Sequence, residues 1–360
     1  MSSGTLRVAR TDGSGRIVAP LMKTPVAAGG YAWLPGTDSL AAAASHWVEG
    51  SRGQSAPSAP ASKRQPSLWL IRMPAGKRSV IASHVQIDSV AAGSDMIAYS
   101  VQYPVRSKYP GNATDVLFVD SLQPHSSPRP IVSAARSGIE LAGIAGKQIL
   151  YWVDPQHSAS LAADGMVLYS MRAGGGRPQA LAMTLGYPSW ISVSNPATLY
   201  AVAGGPRLAW AGKTLRRYAL VAGTSRLIAG NAAEVALDPA ADPVTGRLAF
   251  VRATNLGIKT WGFSSPVPLK TWVASRTLWT TQPGGVAPRP VTAAGHGVYH
   301  PEWTANPNVI LYAKGRGLWL VSLSAGRAVQ VVSHVIGSSE NDQFGFYGHR
   351  SMADEYSWIP

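Results

Sequence analysis

Residues 301–327 read PEWTANPNVILYAKGRGLWLVSLSAGR, and this run contains the unit from which the whole chain is built. A short Pro-x-Trp segment is followed by a polar turn, then by an apolar run of Val, Ile, Leu, Tyr and Ala. A Gly-Arg-Gly turn leads to a second apolar run starting at Leu318, and Ser-Ala-Gly precedes Arg327. The apolar runs are short, rich in β-branched and aromatic side chains, and free of a 3.6-residue period, so they read as strands. Glycines between them supply the positive φ of tight reversals.

The phrase returns along the chain. Its third segment begins at Thr5, Ser67, Thr114, Gly165, Lys213, Arg276 and Arg316, at intervals of 40 to 63 residues. Four-stranded propeller blades repeat about every 40 to 50 residues, and loop insertions lengthen the interval. The fold expected is all-β: a seven-bladed β-propeller of four-stranded antiparallel blades, with six blades as the alternative. Whole blades fall at about 29–84, 85–135, 138–184, 187–230, 231–295 and 298–336. The remaining blade is composite, because 5–21 supplies a third and fourth strand and 340–360 a first and a shortened second. Pairing the N- and C-terminal strands in one blade closes the ring and removes open sheet edges, making 1–360 a single domain.

Composition narrows the function classes. Hydrophobic residues make up 46% of the 360, ample for a core, and 37 Gly and 27 Pro punctuate the strands. Lys and Arg number 32 against 18 Asp and Glu, a net charge of +14, yet only 14% of residues are charged, so carboxylates are scarce. That balance fits either a surface tuned for solubility, in an acidic exterior where carboxylates lose their charge, or an anionic partner such as a cell-envelope polymer. Nucleic acid is not the partner expected, since no Lys/Arg run interleaved with aromatics is present. No 18-residue apolar run exists for a membrane helix. The absence of cysteine excludes disulfides and thiolate metal sites. Met1-Ser-Ser-Gly has neither a basic nor an apolar leader region. The location expected is periplasmic, cell-surface or extracellular with a signal removed, the cytoplasm remaining open.

Three phrases, Tyr31-Ala-Trp-Leu-Pro-Gly-Thr-Asp-Ser-Leu40, Pro301 to Ala313 and Leu318 to Arg327, resemble the TolB-type propeller repeat. That repeat runs Pro-x-Trp-Ser-Pro-Asp-Gly, an Ile-Ala-Phe strand, Leu-Tyr-Val, Gly-Gly and a last strand. The resemblance implies a bacterial envelope or exterior protein, a scaffold that binds a protein or glycan more often than it is an enzyme; no cofactor or metal is expected.

Blade order places every large insertion, at 46–66, 102–113, 154–164, 204–212 and 253–275, on one face. Such one-sided insertions mark a binding surface. Its ligand-binding candidates are Trp47, Tyr103, Arg106, Lys108, Tyr109, Lys259, Trp261, Phe263, Lys270 and Trp272, aromatics beside bases that suit a sugar ring or an anionic polymer. Alternatively, these aromatics tuck under their own loops.

Arg16, Arg78, Arg129, Arg177, Arg226, Arg289 and Arg327 lead the fourth strands as a basic ring. Each either faces an anionic surface or bonds a nearby turn carbonyl. His84, His296, His300, Glu302 and His334 are candidates for the channel mouth, with Asp154 or His157 nearby. Asp88, Glu140 and Glu234 are further carboxylates placed to line the channel. They support the rival reading, a propeller hydrolase or lyase with a His/carboxylate site and perhaps a divalent metal. Against it, there is no Gly-x-Ser-x-Gly elbow, P-loop or His-Glu-x-x-His.

Overall fold

In the computed structural model the described residues are 4–11, 17–26, 31–34, 39–44, 67–72, 77–83, 85, 87–103, 113–123, 126–155, 157, 165–204, 207–257, 267–293, 297–333 and 347–349. Six four-stranded sheets are present among them, each with its strands in sequence order and antiparallel neighbours.

The first sheet is β3 (Tyr31–Trp33), β4 (Ser39–Ala44), β5 (Ser67–Arg72) and β6 (Lys77–Ser83). The second is β7 (Ile87–Ala92), β8 (Ile97–Tyr103), β9 (Thr114–Asp120) and β10 (Arg129–Ala135). The third is β11 (Ser137–Ala145), β12 (Gln148–Pro155), β13 (Met166–Arg172) and β14 (Gln179–Thr184). The fourth is β15 (Ile191–Asn195), β16 (Thr198–Ala203), β17 (Thr214–Ala219) and β18 (Thr224–Ala229). Next come β19 (Glu234–Ala241), β20 (Leu248–Thr254), β21 (Thr277–Gln282) and β22 (Val286–Pro290). The sixth holds β23 (Val298–Trp303), β24 (Val309–Lys314), β25 (Gly317–Ser322) and β26 (Ala328–Val332).

The second strand of a sheet is its core. All six residues of β16 are buried, as are the central residues of β8, β12, β20 and β24, whereas the fourth strands β10, β18, β22 and β26 are mostly exposed. A strand covered on both faces needs apolar residues at successive positions, which is why these segments show no alternation.

The chain divides into two compact units, the first drawing on 1–12, 17–161 and 169–179, the second on 13–16, 162–168 and 180–360. In the first, Leu117, Ile139, Leu141, Ile149 and Tyr151 form one core and Leu34, Leu68, Ile87, Ile97 and Tyr99 another. In the second, Trp190, Tyr200, Leu237, Phe250, Leu278 and Tyr312 belong to one large core.

β1 (Gly4–Thr11) and β2 (Ile17–Val26) pair with each other as a two-stranded sheet. Of 340–360, expected to complete that blade, only 347–349 are described, so the seventh blade and the closure fall outside the described residues. The insertion at 253–275 also contains a helix, α1 (Val267–Ala274), whose Pro268 lies in the first turn, where a missing N–H costs nothing.

Candidate functional site

Four sheets or segments of the second unit repeat one local phrase: Tyr187-Pro188-Ser189-Trp190, Asp238-Pro239-Ala240, His300-Pro301-Glu302-Trp303 and Tyr347-Gly348-His349. The fold brings these positions into one polar cluster.

Local backbone geometry explains how. β19 carries a one-residue bulge between Leu237 and Ala240, and β23 carries one between Tyr299 and Glu302. A bulge lets a proline sit inside a paired strand and re-aims the neighbouring side chain. Asp238 and His300, each preceding its proline, have φ of 47° and 42°, and Tyr347 has 55°. Tyr187 keeps the extended geometry that a following proline favours, with φ of −113°. A positive φ on a non-glycine residue costs on the order of 1–3 kcal/mol and persists where the surroundings enforce it.

The enforcing group at Asp238 is Arg276, 2% exposed, whose guanidinium pairs with Asp238 Oδ2. Arg276 Nε also donates to Val298 O at 2.7 Å, and its plane lies 3.9 Å from the Tyr299 ring centroid. Asp238 further accepts from Trp190 Nε1 at 2.9 Å and from the His300 amide at 3.2 Å. The buried ion pair is thus hydrogen-bonded by Trp190, just before β15, and by two backbone groups of β23.

Around it lie the partly exposed His300, Glu302, Ser189 and Tyr187 and the buried His349. His300 Nε2 is 3.0 Å from Glu302 Oε1, with side chains 16% and 17% exposed. Ser189 Oγ and His349 Nε2 share a 2.9 Å hydrogen bond. The His349 ring stacks on Tyr187 at 3.5 Å and meets the edge of Trp190 at 5.1 Å. Burial pushes His349 down to about 3, Arg276 and His300 act in the same direction, and Asp238 partly opposes them. The folded state therefore refuses a proton that the unfolded chain accepts below about pH 6.5. Stability from this ring is present above that value and lost as pH falls toward 3, at about 1.4 kcal/mol per pH unit. Urea unfolding of the second unit is expected to show this slope, and His349→Phe is expected to remove it.

Insertions roof the cluster. Arg207 donates to Tyr347 Oη at 3.0 Å, and Ala209 N donates to Tyr347 O at 2.9 Å. Trp210 and Trp272 meet edge to face at 5.9 Å. Gly348 fits against both, since a Cβ there would lie 2.8 Å from Trp210 and 3.1 Å from Trp272.

The sequence candidates distribute as follows. His300 and Glu302 come together as a pair. Trp272, expected on a ligand-binding loop, is instead on α1 and 1% exposed, because the helix turns that side chain into the core. Tyr103 ends β8 and is 43% exposed. Arg129 donates to Gly174 O at 3.0 Å and Arg226 to Gly284 O at 2.8 Å, so each guanidinium bonds a turn of another sheet. Arg177, Arg289 and Arg327 are exposed; Arg78 lies on β6 and Lys270 on α1. Trp47, His84, Arg16, Arg106, Lys108, Tyr109, Lys259, Trp261, Phe263, His296 and His334 lie outside the described residues. Among the described residues, no group of three or more His, Asp or Glu side chains is arranged to hold a metal ion.

Sequence reasoning missed Asp238, Arg276, Ser189, Tyr187 and His349. For Tyr187, Ser189 and Asp238 the signal available was the residue flanking a Pro; no such signal marks Arg276 or His349.

No family model and no curated protein matches the chain. Solved structures do. Acylaminoacyl peptidase in complex with Z-Gly-Gly-Phe-chloromethyl ketone superposes with a TM-score of 0.56 and 11% identity over 92% of this chain and 50% of that one. Oligogalacturonate lyase in complex with manganese gives 0.50 and 11% over 77% and 74%. A TolB from Agrobacterium tumefaciens gives 0.42 and 12% over 74% and 88%, a weaker superposition. The chain spans 40–50% of the length of the peptidases it matches. At such identities the likeness is one of fold, and with six four-stranded sheets that fold is a β-propeller type.

Proposed function

We propose that the protein is a non-enzymatic binding propeller that holds a protein or glycan partner over the polar cluster of its second unit, on the face carrying the insertions. The observation carrying this reading is the strained pair Asp238 and His300, both held at positive φ before proline around one buried ion pair. Strain of this kind collects at ligand sites. The partly exposed groups Ser189, His300, Glu302 and Tyr187 combine aromatic surface with donors and acceptors, the chemistry that suits a sugar or a polar peptide.

Hydrolysis is the second reading, favoured by the Ser189 and His349 contact at 2.9 Å. The burial that keeps His349 neutral also opposes it. A ring whose conjugate acid sits at about 3 has little drive to take the proton of a serine, and efficient bases lie near the working pH.

The test is binding of the full chain to arrays of anionic and neutral oligosaccharides and of peptides. Ser189→Ala and Glu302→Gln are expected to weaken array binding about tenfold, one lost hydrogen bond to a charged or polar group each, with the fold retained and Ser189→Ala losing about 1–3 kcal/mol of stability through the unpaired His349. Wild-type affinity in both variants, each still folded, would remove this cluster from the binding surface. A fluorophosphonate probe that labels Ser189 would favour hydrolysis instead.

A further inference from the structure

A second polar site lies on the fourth sheet and takes no part in the binding proposal. Tyr200 on β16 stands opposite Arg217 on β17, and Arg217 stands opposite Arg226 on β18. Side chains directly opposite across antiparallel strands share a face and start about 5 Å apart, so the three form a row. The matching row is Tyr99, Phe118 and Pro130 in the second sheet, Phe250, Trp279 and Pro290 in the fifth, and Tyr312, Trp319 and Gln330 in the sixth. None of those residues carries a charge, whereas the fourth sheet sets two cations side by side.

Like charges directly opposite one another destabilise a sheet unless something answers them. Among the described residues no carboxylate does so: Arg252 and Arg276 pair with Glu234 and Asp238, but Arg217 and Arg226 form no ion pair. Arg226 donates to Gly284 O at 2.8 Å, in the turn between β21 and β22. Gly285, next in that turn, lies against the Tyr200 ring, where a Cβ would come 3.2 Å from Cε1. Arg217 Nη2 donates to Thr198 Oγ1 at 3.4 Å, a long contact, and its Nε is buried without an acceptor. The Tyr200 hydroxyl is buried too and meets no partner. Burial pushes that hydroxyl up from the ordinary tyrosine range, and Arg217 and Arg226 are the charges that pull it back. Arg217 is half-buried and Arg226 exposed, so the row opens to solvent at its β18 end.

We propose that Tyr200, Arg217 and Arg226 form a phosphate-binding site. Each guanidinium is a planar fork of N–H donors that engages two phosphate oxygens at once. Two neighbouring positive charges match a phosphate monoester, which carries about −1.5 to −2 near pH 7, better than they match a carboxylate with its single charge. A phosphate between the forks answers the facing cations and brings acceptors to the two buried donors that have none. The net charge of +14 draws such an anion toward the chain.

The experiment is calorimetric titration of the full chain at low salt and neutral pH with inorganic phosphate and, separately, with glycerol phosphate. Saturable binding is expected, weakened about tenfold or more in Arg217→Gln and in Arg226→Gln and less in Tyr200→Phe. Arg216→Gln, which alters the other face of β17, and Ser189→Ala, in the separate cluster, are expected to keep wild-type affinity. Phosphate is expected to raise the melting temperature of the wild type and not of the two arginine variants. Tighter binding of glycerol phosphate than of the free ion assigns the site to a phosphate monoester on a larger partner; the reverse order assigns it to free phosphate. Absence of saturable binding overturns the proposal, as does wild-type affinity in Arg217→Gln and Arg226→Gln. Equal weakening in Arg216→Gln overturns it as well, since attraction by net charge alone would then account for the binding.

Discussion

Asp238→Ala is expected to lower the stability of the second unit by about 3–5 kcal/mol, because it strips the counter-charge from an arginine buried in the core. Arg276 is 2% exposed, and its Nε already serves Val298 O, so its remaining charge has been answered by the lost carboxylate. Trp190 Nε1 and the His300 amide lose their acceptor in the same step. Each such orphaned donor costs about 1–3 kcal/mol alone, and the losses overlap because they share one partner. Alanine also inherits a φ of 47° that it adopts poorly.

Asp238→Asn is expected to lose less, since asparagine tolerates the left-handed region and still accepts from the indole. Adding Arg276→Met to Asp238→Asn is expected to recover much of the deficit by removing the unpaired cation. Urea unfolding at neutral pH, followed by tryptophan fluorescence, measures the series. A wild-type midpoint for Asp238→Ala would show that Asp238 is not the counter-charge.

Trp272→Ala is expected to cost about 3–5 kcal/mol as well, through a cavity rather than a charge. The ring is 1% exposed, packed against Trp210, Gly348 and the guanidinium of Arg276, whose Cζ lies 5.2 Å from its centroid. Insertion residues enclose it, so truncation leaves a void that backbone shifts close only in part. Thermal unfolding is expected to fall by roughly 2–4 °C per kcal/mol for a unit of this size. Trp272→Phe keeps most of the volume and is expected to lose less. Were this tryptophan a surface platform for a sugar, as its neighbourhood of Lys and Trp residues led one to expect, truncation would abolish binding and leave the melting temperature in place.

The strands were legible because their cause is local. Third segments expected from 67, 114, 213, 276 and 316 correspond to β5, β9, β17, β21 and β25 within a residue or two at each start. The fourth-strand arginines show where legibility stops: their regular placement was readable, but not that Arg129 and Arg226 would bond carbonyls of turns in other sheets. Nor did the sequence distinguish the cations that begin third segments. Lys213 and Arg276 are buried while Arg316 is exposed, and burial pushes the Lys213 amine down to about 7. The three residues occupy equivalent places in the repeat; what differs is which strand and insertion cover them.

The amino-acid pattern by itself determined an all-β chain of repeated four-strand modules, because short apolar runs and glycine turns act within a few residues of one another. Tertiary structure alone decided which polar side chains meet. Single-residue bulges at Asp238 and His300 and the stacking of one sheet on the next brought together residues far apart in the chain. Strand periodicity carries no information about contacts at that range, since it is a property of one sheet and the sites are made between sheets.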